Sequence, residues 1–259
     1  MINKDSKGVI LKRKRADIQA LRALAVVSVV LYHLWPDRIT GGFMGVDIFL
    51  VISGYLMTAT LLKGSDGVLK SKQKLRSALS YLATFYARRI KRLIPAAAVT
   101  LLAVLGMVQI SGQYDVIQKT SEQVVASTFF VQNWLLAKDS VNYLSPSEAP
   151  TAVQHFWSLS LEEQFYLVWP ILLLILTLTT VHLSLLYKKT KISGAILPTS
   201  LLAVAFFIYG YLLTKSSPDA AYFITPARVW ELLIGAVLAL LPTVKNYDLK
   251  LLLPWIGTA

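Results

Sequence analysis

Arg22 and His33 lie eleven residues apart in an otherwise apolar stretch, LRALAVVSVVLYHLWPD at 21–37. At about 3.6 residues per turn this is close to three turns, so both fall on one face of a helix. A rise of about 1.5 Å per residue separates them by roughly 16 Å along its axis, too far for either to orient the other. An imidazole titrates near neutral pH and suits proton transfer; a guanidinium suits an anion. Two readings are open. Arg22 snorkels to the inner headgroups and His33 sits in the outer interface beside Trp35, or the two mark a polar stripe lining a protein-filled channel.

Other reactive side chains come in clusters. FYARRIKRLIPA at 85–96 gathers Arg88, Arg89, Lys91 and Arg92 just before an apolar run. Arg89 with Arg92, or Arg88 with Arg92, share a helix face and could clamp phosphates; plain cytoplasmic anchoring is the alternative. Pro95 is expected to kink or delay that helix. GGFMGVDIFLVISGY at 41–55 carries Asp47 and Ser53, with Gly42 and Gly45 placed for close helix packing. HFWSLSLEEQFYLVWP at 155–170 holds His155, Glu162, Glu163 and Tyr166. There Ser160 and Glu163 read as a capping box, leaving Glu162 without a structural task, and Trp157 and Trp169 suit an interfacial belt. In TPARVWELLIG at 225–235, Thr225 reads as an N-cap with Pro226 first in the helix, and Arg228 can pair with Glu231.

The elements that must position these groups are membrane helices. The 259 residues are 55% hydrophobic and 15% charged with a mean hydropathy of +0.57, well outside the soluble range. No cysteine is present and there are three histidines, so thiolate sites are excluded and no metal centre is expected. The net charge of +12 sits in short runs between apolar segments, the pattern of cytoplasmic loops and not of a nucleic-acid surface. Runs long enough to cross fall near 18–36, 43–62, 93–111, 165–186, 197–214 and 226–244, with an incomplete one from Leu249. The fold expected is all-α: a polytopic transmembrane helix bundle of six full spans and a stub. Residues 1–17 form a basic cytoplasmic N-terminus and 18–259 the membrane domain.

The run at 122–138 contains Gln123, Gln132 and Asn133. If it crosses, the lysines at 188, 189, 191, 245 and 250 fall outside; if it is re-entrant or interfacial, all lie inside, as the positive-inside bias favours. KGSDGVLKSKQK at 63–74 reads as a solvated loop. On this topology Arg22 and the basic run collect at the inner face. His33, Asp47, His155, Glu162 and Glu231 collect toward the outer one, which suggests an anionic donor inside and chemistry nearer the outside. The chain stops part-way into an apolar segment, LLLPWIGTA, as a C-terminally truncated protein would.

Taken in order, Arg22 with His33, GGFMGVDIFLVISGYL, Arg89-x-x-Arg92, HFWSLSLEEQFYLVWP and RVWELLIGA resemble the membrane-bound acyltransferase-3 family over residues 15 to 240. The resemblance implies bacterial O-acylation of a polysaccharide, peptidoglycan or other glycan, with acetyl-coenzyme A as cytoplasmic donor substrate and no permanently bound cofactor. It implies a multi-pass protein of the bacterial cell membrane with its N-terminus cytoplasmic. It also implies that His33 and Arg22 are required and that Arg89 and Arg92 serve the donor. The family has about ten spans, some members adding an extracytoplasmic esterase-like domain, and this chain has fewer.

Acyl transfer needs a base for the hydroxyl and charge to balance the donor. His33 suits the base, with Glu162 or Asp47 holding its tautomer. Glu163 and Tyr166 complete the candidate catalytic set, and Arg22, Arg88, Arg89 and Arg92 the candidate donor site. Ser53, His155, Arg228 and Glu231 are acceptor-side or structural candidates, Ser53 or Tyr166 also being able to carry a covalent acyl group. The alternatives are a transporter with an intramembrane proton or anion path, or an inactive remnant.

Overall fold

A computed structural model of the protein describes residues 15–35, 37–71, 73–141, 151–187 and 193–242. The basic residues at 12–14, Lys72, the lysines at 188, 189, 191, 245 and 250 and the segment from Leu249 lie outside them. All regular structure in the described residues is helical. Helix α1 spans Ala16–Leu34; after a single 3₁₀ turn at Gly42–Met44, α2 spans Gly45–Lys70. Then follow α3 Lys74–Ser111, α4 Tyr114–Thr128, α5 Gln132–Val141, α6 Phe156–Tyr187, α7 Ser193–Ser216, α8 Pro218–Phe223 and α9 Thr225–Leu240. Helices are what an apolar solvent demands, because every backbone donor and acceptor is then satisfied within the segment.

Among the described residues, five helices are long and apolar enough to cross a membrane: Ala16–Leu34, Gly42–Gly64, Leu75–Ile110, Phe156–Thr179 and Gly194–Ser216. The expected sixth span at 226–244 corresponds to α9, whose 16 residues are fewer than those five helices have. Large apolar side chains on these helices face outward, among them Leu24, Leu102 and Ile110, as lipid contact requires.

Several local expectations are corrected. The 63–74 stretch is not a solvated loop, since α2 continues to Lys70 and α3 begins at Lys74. Pro95 does not delay α3, which runs unbroken for 38 residues. At about 1.5 Å per residue it is roughly 57 Å long, beyond the ~30 Å of a hydrocarbon core. Ser160 is not a cap, because α6 begins at Phe156 and buries Ser160 in its interior, where its hydroxyl has no hydrogen-bond partner among the described residues. Thr225 is the first residue of α9 with Pro226 second, and it offers no cap to the helix. Trp157 and Trp169 do not line an interface: both are buried, and the Trp169 indole donates to Thr58 Oγ1 at 2.8 Å.

The 122–138 stretch is not one helix. It breaks at Phe129–Val131, where Phe130 takes a left-handed φ of 54°, a position that side-chain sterics disfavour. Helix α4 doubles back along α3, Val124 joining Leu101 and Val104 in one apolar cluster. The three amides that weakened the stretch as a span fix the reversal. Gln132 and Asn133 are fully buried, and Gln132 Nε2 donates to Gln123 Oε1 at 3.1 Å and to the Val153 carbonyl at 2.8 Å. Asn133 Nδ2 donates to Thr225 Oγ1 at 2.9 Å, while Gln164 Nε2 donates to the Phe130 carbonyl at 2.7 Å and to Asn133 Oδ1 at 2.9 Å. This network ties α5 to α6 and α9.

The bundle centres on α9, which packs against both α2 and α7. Leu50, Leu161, Trp169, Leu232 and Leu233 fill the core between them. Gly54 and Gly235 make the α2–α9 approach possible: a Cβ on Gly54 would strike the Leu232 carbonyl, and one on Gly235 the Val51 carbonyl. Gly42 and Gly45 play the expected part against α1, facing the Ser28 and Ala25 carbonyls. Replacing Gly54 with leucine should thus destabilise the bundle by about 1–3 kcal/mol, the usual cost of overpacking. Gly106→Leu is the control, since nothing lies within 4 Å of a Cβ there. Thermal unfolding in detergent checks the difference; equal midpoints would remove the glycine contact from the account.

Candidate active site

His33, in the last turn of α1, meets His155, just ahead of α6, with ring centroids 5.1 Å apart and planes at 73°. Tyr32 closes the other side of the His33 ring edge-on at 5.4 Å. His33 Nδ1 lies 2.8 Å from the carbonyl oxygen of Val29, one turn back. A carbonyl oxygen only accepts, so Nδ1 carries a proton, and in the neutral ring the lone pair is on Nε2. The tautomer expected from a carboxylate is set instead by the helix's own backbone, while Glu162 and Asp47 are engaged elsewhere. His155 is pushed below the ordinary imidazole value, first by burial and then by the neighbouring His33, which keeps it neutral to lower pH.

Seven residues beyond His155, and roughly 10 Å along α6, a second group of polar side chains begins. His155, Glu162 and Tyr166 stand at spacings of seven and eleven residues, which return to one face of a helix. Tyr166 donates to Glu162 Oε2 at 3.3 Å, and Ser53 from α2 is within hydrogen-bond reach of both. Arg89 arrives from α3 and forms a bidentate pair with Glu163, Nε to Oε2 at 2.9 Å and Nη2 to Oε1. Its guanidinium also lies 3.6 Å over the Tyr166 ring. This corrects the placement at two depths. Arg89 belongs to the carboxylate group and not to a separate inner cluster.

A third group lies between α2 and α9. Arg228 pairs with Asp47 across 181 residues and with Glu231 at i,i+3, its Nε standing 2.8 Å from Glu231 Oε1 but off the line of its own N–H. Trp157 and Tyr222 approach the same guanidinium, with centroids 5.9 and 5.2 Å away. The i,i+3 pairing was visible in the sequence; the partner Asp47 carried no local signal.

Of the remaining donor candidates, Arg22 and Arg92 are exposed on α1 and α3. Arg88 lines an open cavity of about 630 Å³ between the end of α2 and the start of α3. Arg76, Ser77, Ser80, Tyr81 and Thr84 share that wall. Arg76 was read only as topology. Its signal is the spacing from Ser80 and Thr84, four and eight residues on, which puts all three on one helix face.

The acyltransferase-3 family model, described as an acyltransferase domain, matches residues 15–259. A Staphylococcus aureus (strain COL) protein provisionally named an O-acetyltransferase is 37% identical over 227 residues, covering 86% of this chain and 34% of its own. The peptidoglycan O-acetyltransferase OatA of Listeria monocytogenes is 35% identical over 222 residues, covering 86% and 33%. A Bacillus subtilis (strain 168) protein provisionally named peptidoglycan O-acetyltransferase YrhL is 32% identical over 233 residues, covering 88% and 33%. The chain thus spans about a third of the length of these relatives. No solved structure matches it at a significant level.

Proposed function

The chain belongs to the acyltransferase-3 family, and from that premise we propose that it serves as an integral membrane O-acyltransferase of the bacterial envelope. It takes an acyl group, acetyl in the first instance, from a coenzyme A thioester on the cytoplasmic side. It delivers that group to a hydroxyl of peptidoglycan or another envelope glycan. The N-terminus lies in the cytoplasm, which puts the α2–α3 cavity on the donor side and the histidine pair on the acceptor side.

The observation that carries the reading is the His33 Nδ1 contact with the Val29 carbonyl at 2.8 Å, because it frees Nε2 as a general base. In the reaction Nε2 takes the proton of the glycan hydroxyl as its oxygen attacks the thioester carbonyl carbon. The C–S bond breaks, and the imidazolium returns the proton to the leaving sulfur, giving the ester and the free thiol. A neutral His155 favours this cycle, since a second cation 5.1 Å away would oppose charge forming on His33. The phosphates of the donor find Arg76 and Arg88 in the α2–α3 cavity.

Incubating the membrane-embedded protein with acetyl-labelled coenzyme A and a glycan tests this: label on the glycan is expected. Solute flux with no label on glycan would favour transport instead. For the donor side, Arg76→Ala with Arg88→Ala should weaken coenzyme A binding about tenfold, the scale of one to two charge-assisted hydrogen bonds at a solvated site. Titration calorimetry measures it, and an unchanged dissociation constant would move the donor away from this cavity.

A further inference from the structure

Beside the α2–α9 ion pairs lies a second cavity, of about 340 Å³, with walls from α7, α8 and α9. Asp47, Arg228 and Glu231 form its polar side, and Phe207, Tyr222 and Trp230 its aromatic side. The volume is at the small end of the roughly 300–1,000 Å³ of ligand sites. It suits one ring and not an extended cofactor.

Its chemistry is selective. Two carboxyl groups hold one guanidinium, and their remaining lone pairs leave the pocket with hydrogen-bond acceptors to spare. At about 340 Å³ the cavity is too small for an extended polyphosphate donor. It welcomes a neutral ligand with several hydroxyl or amide donors. Trp230 and Phe207 meet edge to face at 5.0 Å and present flat apolar surface to the apolar face of such a ligand. Arg228, 12% exposed, is clamped by both carboxylates and so holds their oxygens in fixed directions.

The cavity also adjoins the histidine pair. Tyr222, in its wall, packs on Trp157 at 4.9 Å, and Trp157 follows His155 by two residues. Tyr32 touches the His33 ring. Tyr222 and Trp157 thus link the cavity wall to the segment that carries His155, the ring neighbour of His33.

We propose that this cavity is an acceptor subsite that holds an uncharged sugar ring of the glycan next to the unit whose hydroxyl reaches His33. The proposal rests on the acyl-transfer reading above. Its effect is to anchor the polymer through a residue that does not react, so that binding energy from one ring positions the hydroxyl of its neighbour.

The test uses the full chain in lipid nanodiscs and N,N′,N″-triacetylchitotriose, a neutral soluble trisaccharide, with binding followed by ligand-observed NMR. Coenzyme A binding is measured in parallel. The wild-type protein is expected to bind both. Trp230→Ala, which removes the stacking wall, and Glu231→Gln, which keeps shape and exchanges an acceptor oxygen for an amide donor, should each weaken the trisaccharide tenfold or more. Both should leave coenzyme A within twofold, which also certifies that the variants are folded. Unchanged trisaccharide affinity in both variants, with coenzyme A still bound, would overturn the subsite and leave the transfer reading standing. Choline binding in preference to the trisaccharide would overturn it too, by making the pocket a cation site. A wild-type protein that binds neither ligand would defeat the transfer reading itself, and the subsite with it.

Discussion

His33→Ala should reduce acyl transfer to a glycan by about a hundred- to ten-thousandfold, the usual contribution of a positioned general base. Coenzyme A binding should change little, because the α2–α3 cavity is lined by Arg76, Arg88 and their neighbours and not by any residue of α1. The backbone geometry makes the expectation sharper. His33→Gln keeps a polar side chain of similar reach but lacks a titratable nitrogen, and it should fail as completely as alanine. If the glutamine variant retained transfer, His33 would be a structural residue of the α1 terminus. His155→Gln should do less damage, since it removes a neutral neighbour and not the base. Steady-state kinetics with labelled donor separate these outcomes, with the loss expected in kcat and the donor KM steady.

Arg89→Ala should be strongly destabilising. Arg89 and Glu163 are 26% and 13% exposed, and their bidentate pair joins α3 to α6. Removing one partner of a fully buried pair costs about 3–5 kcal/mol, because the other charge is stranded, and this part-buried pair should lose rather less. Loss of activity in Arg89→Ala would therefore say nothing about donor binding, which is what the Arg-x-x-Arg spacing alone suggests. The double replacement Arg89→Met with Glu163→Leu decides between the roles. Apolar groups of similar size can replace a buried pair at little cost. The double variant should recover most of the thermal stability lost in the single one. A double variant as unstable as Arg89→Ala would mean that the guanidinium is held by more than Glu163 and the Tyr166 ring.

The class of fold was legible because hydrocarbon imposes one rule on every span, and apolar runs of the right length report it directly. Pairings within one helix were legible as well, Arg228 with Glu231 being three residues apart. What a one-dimensional pattern does not carry is which helices become neighbours. Arg89 meets Glu163 over 74 residues and Arg228 meets Asp47 over 181, and neither spacing has a period to detect. The start of α6 was misjudged for a related reason. The polar letters in HFWSLSLEEQ lower its hydropathy, yet Glu163 and Gln164 are satisfied by Arg89 and by the α5 segment, so the helix is free to begin at Phe156. Trp169 likewise reads as interfacial until Thr58, more than a hundred positions earlier, supplies an acceptor for its indole. The amides of the 122–138 stretch gave the opposite lesson: their cost as a membrane span was apparent, and the structure uses them as the pins of a helical reversal.

The central claim is that one bundle connects a donor cavity beside Arg88 with a base at His33 near its other end. Side-resolved transfer in sealed vesicles tests it most directly. With the protein inserted in a single orientation, acetyl-labelled coenzyme A is supplied only on the N-terminal side and a membrane-impermeant glycan only on the opposite side. Label on the glycan, lost in His33→Ala and weakened in Arg76→Ala with Arg88→Ala, is the predicted result. Label that reaches a glycan only when donor and acceptor share a compartment would contradict it.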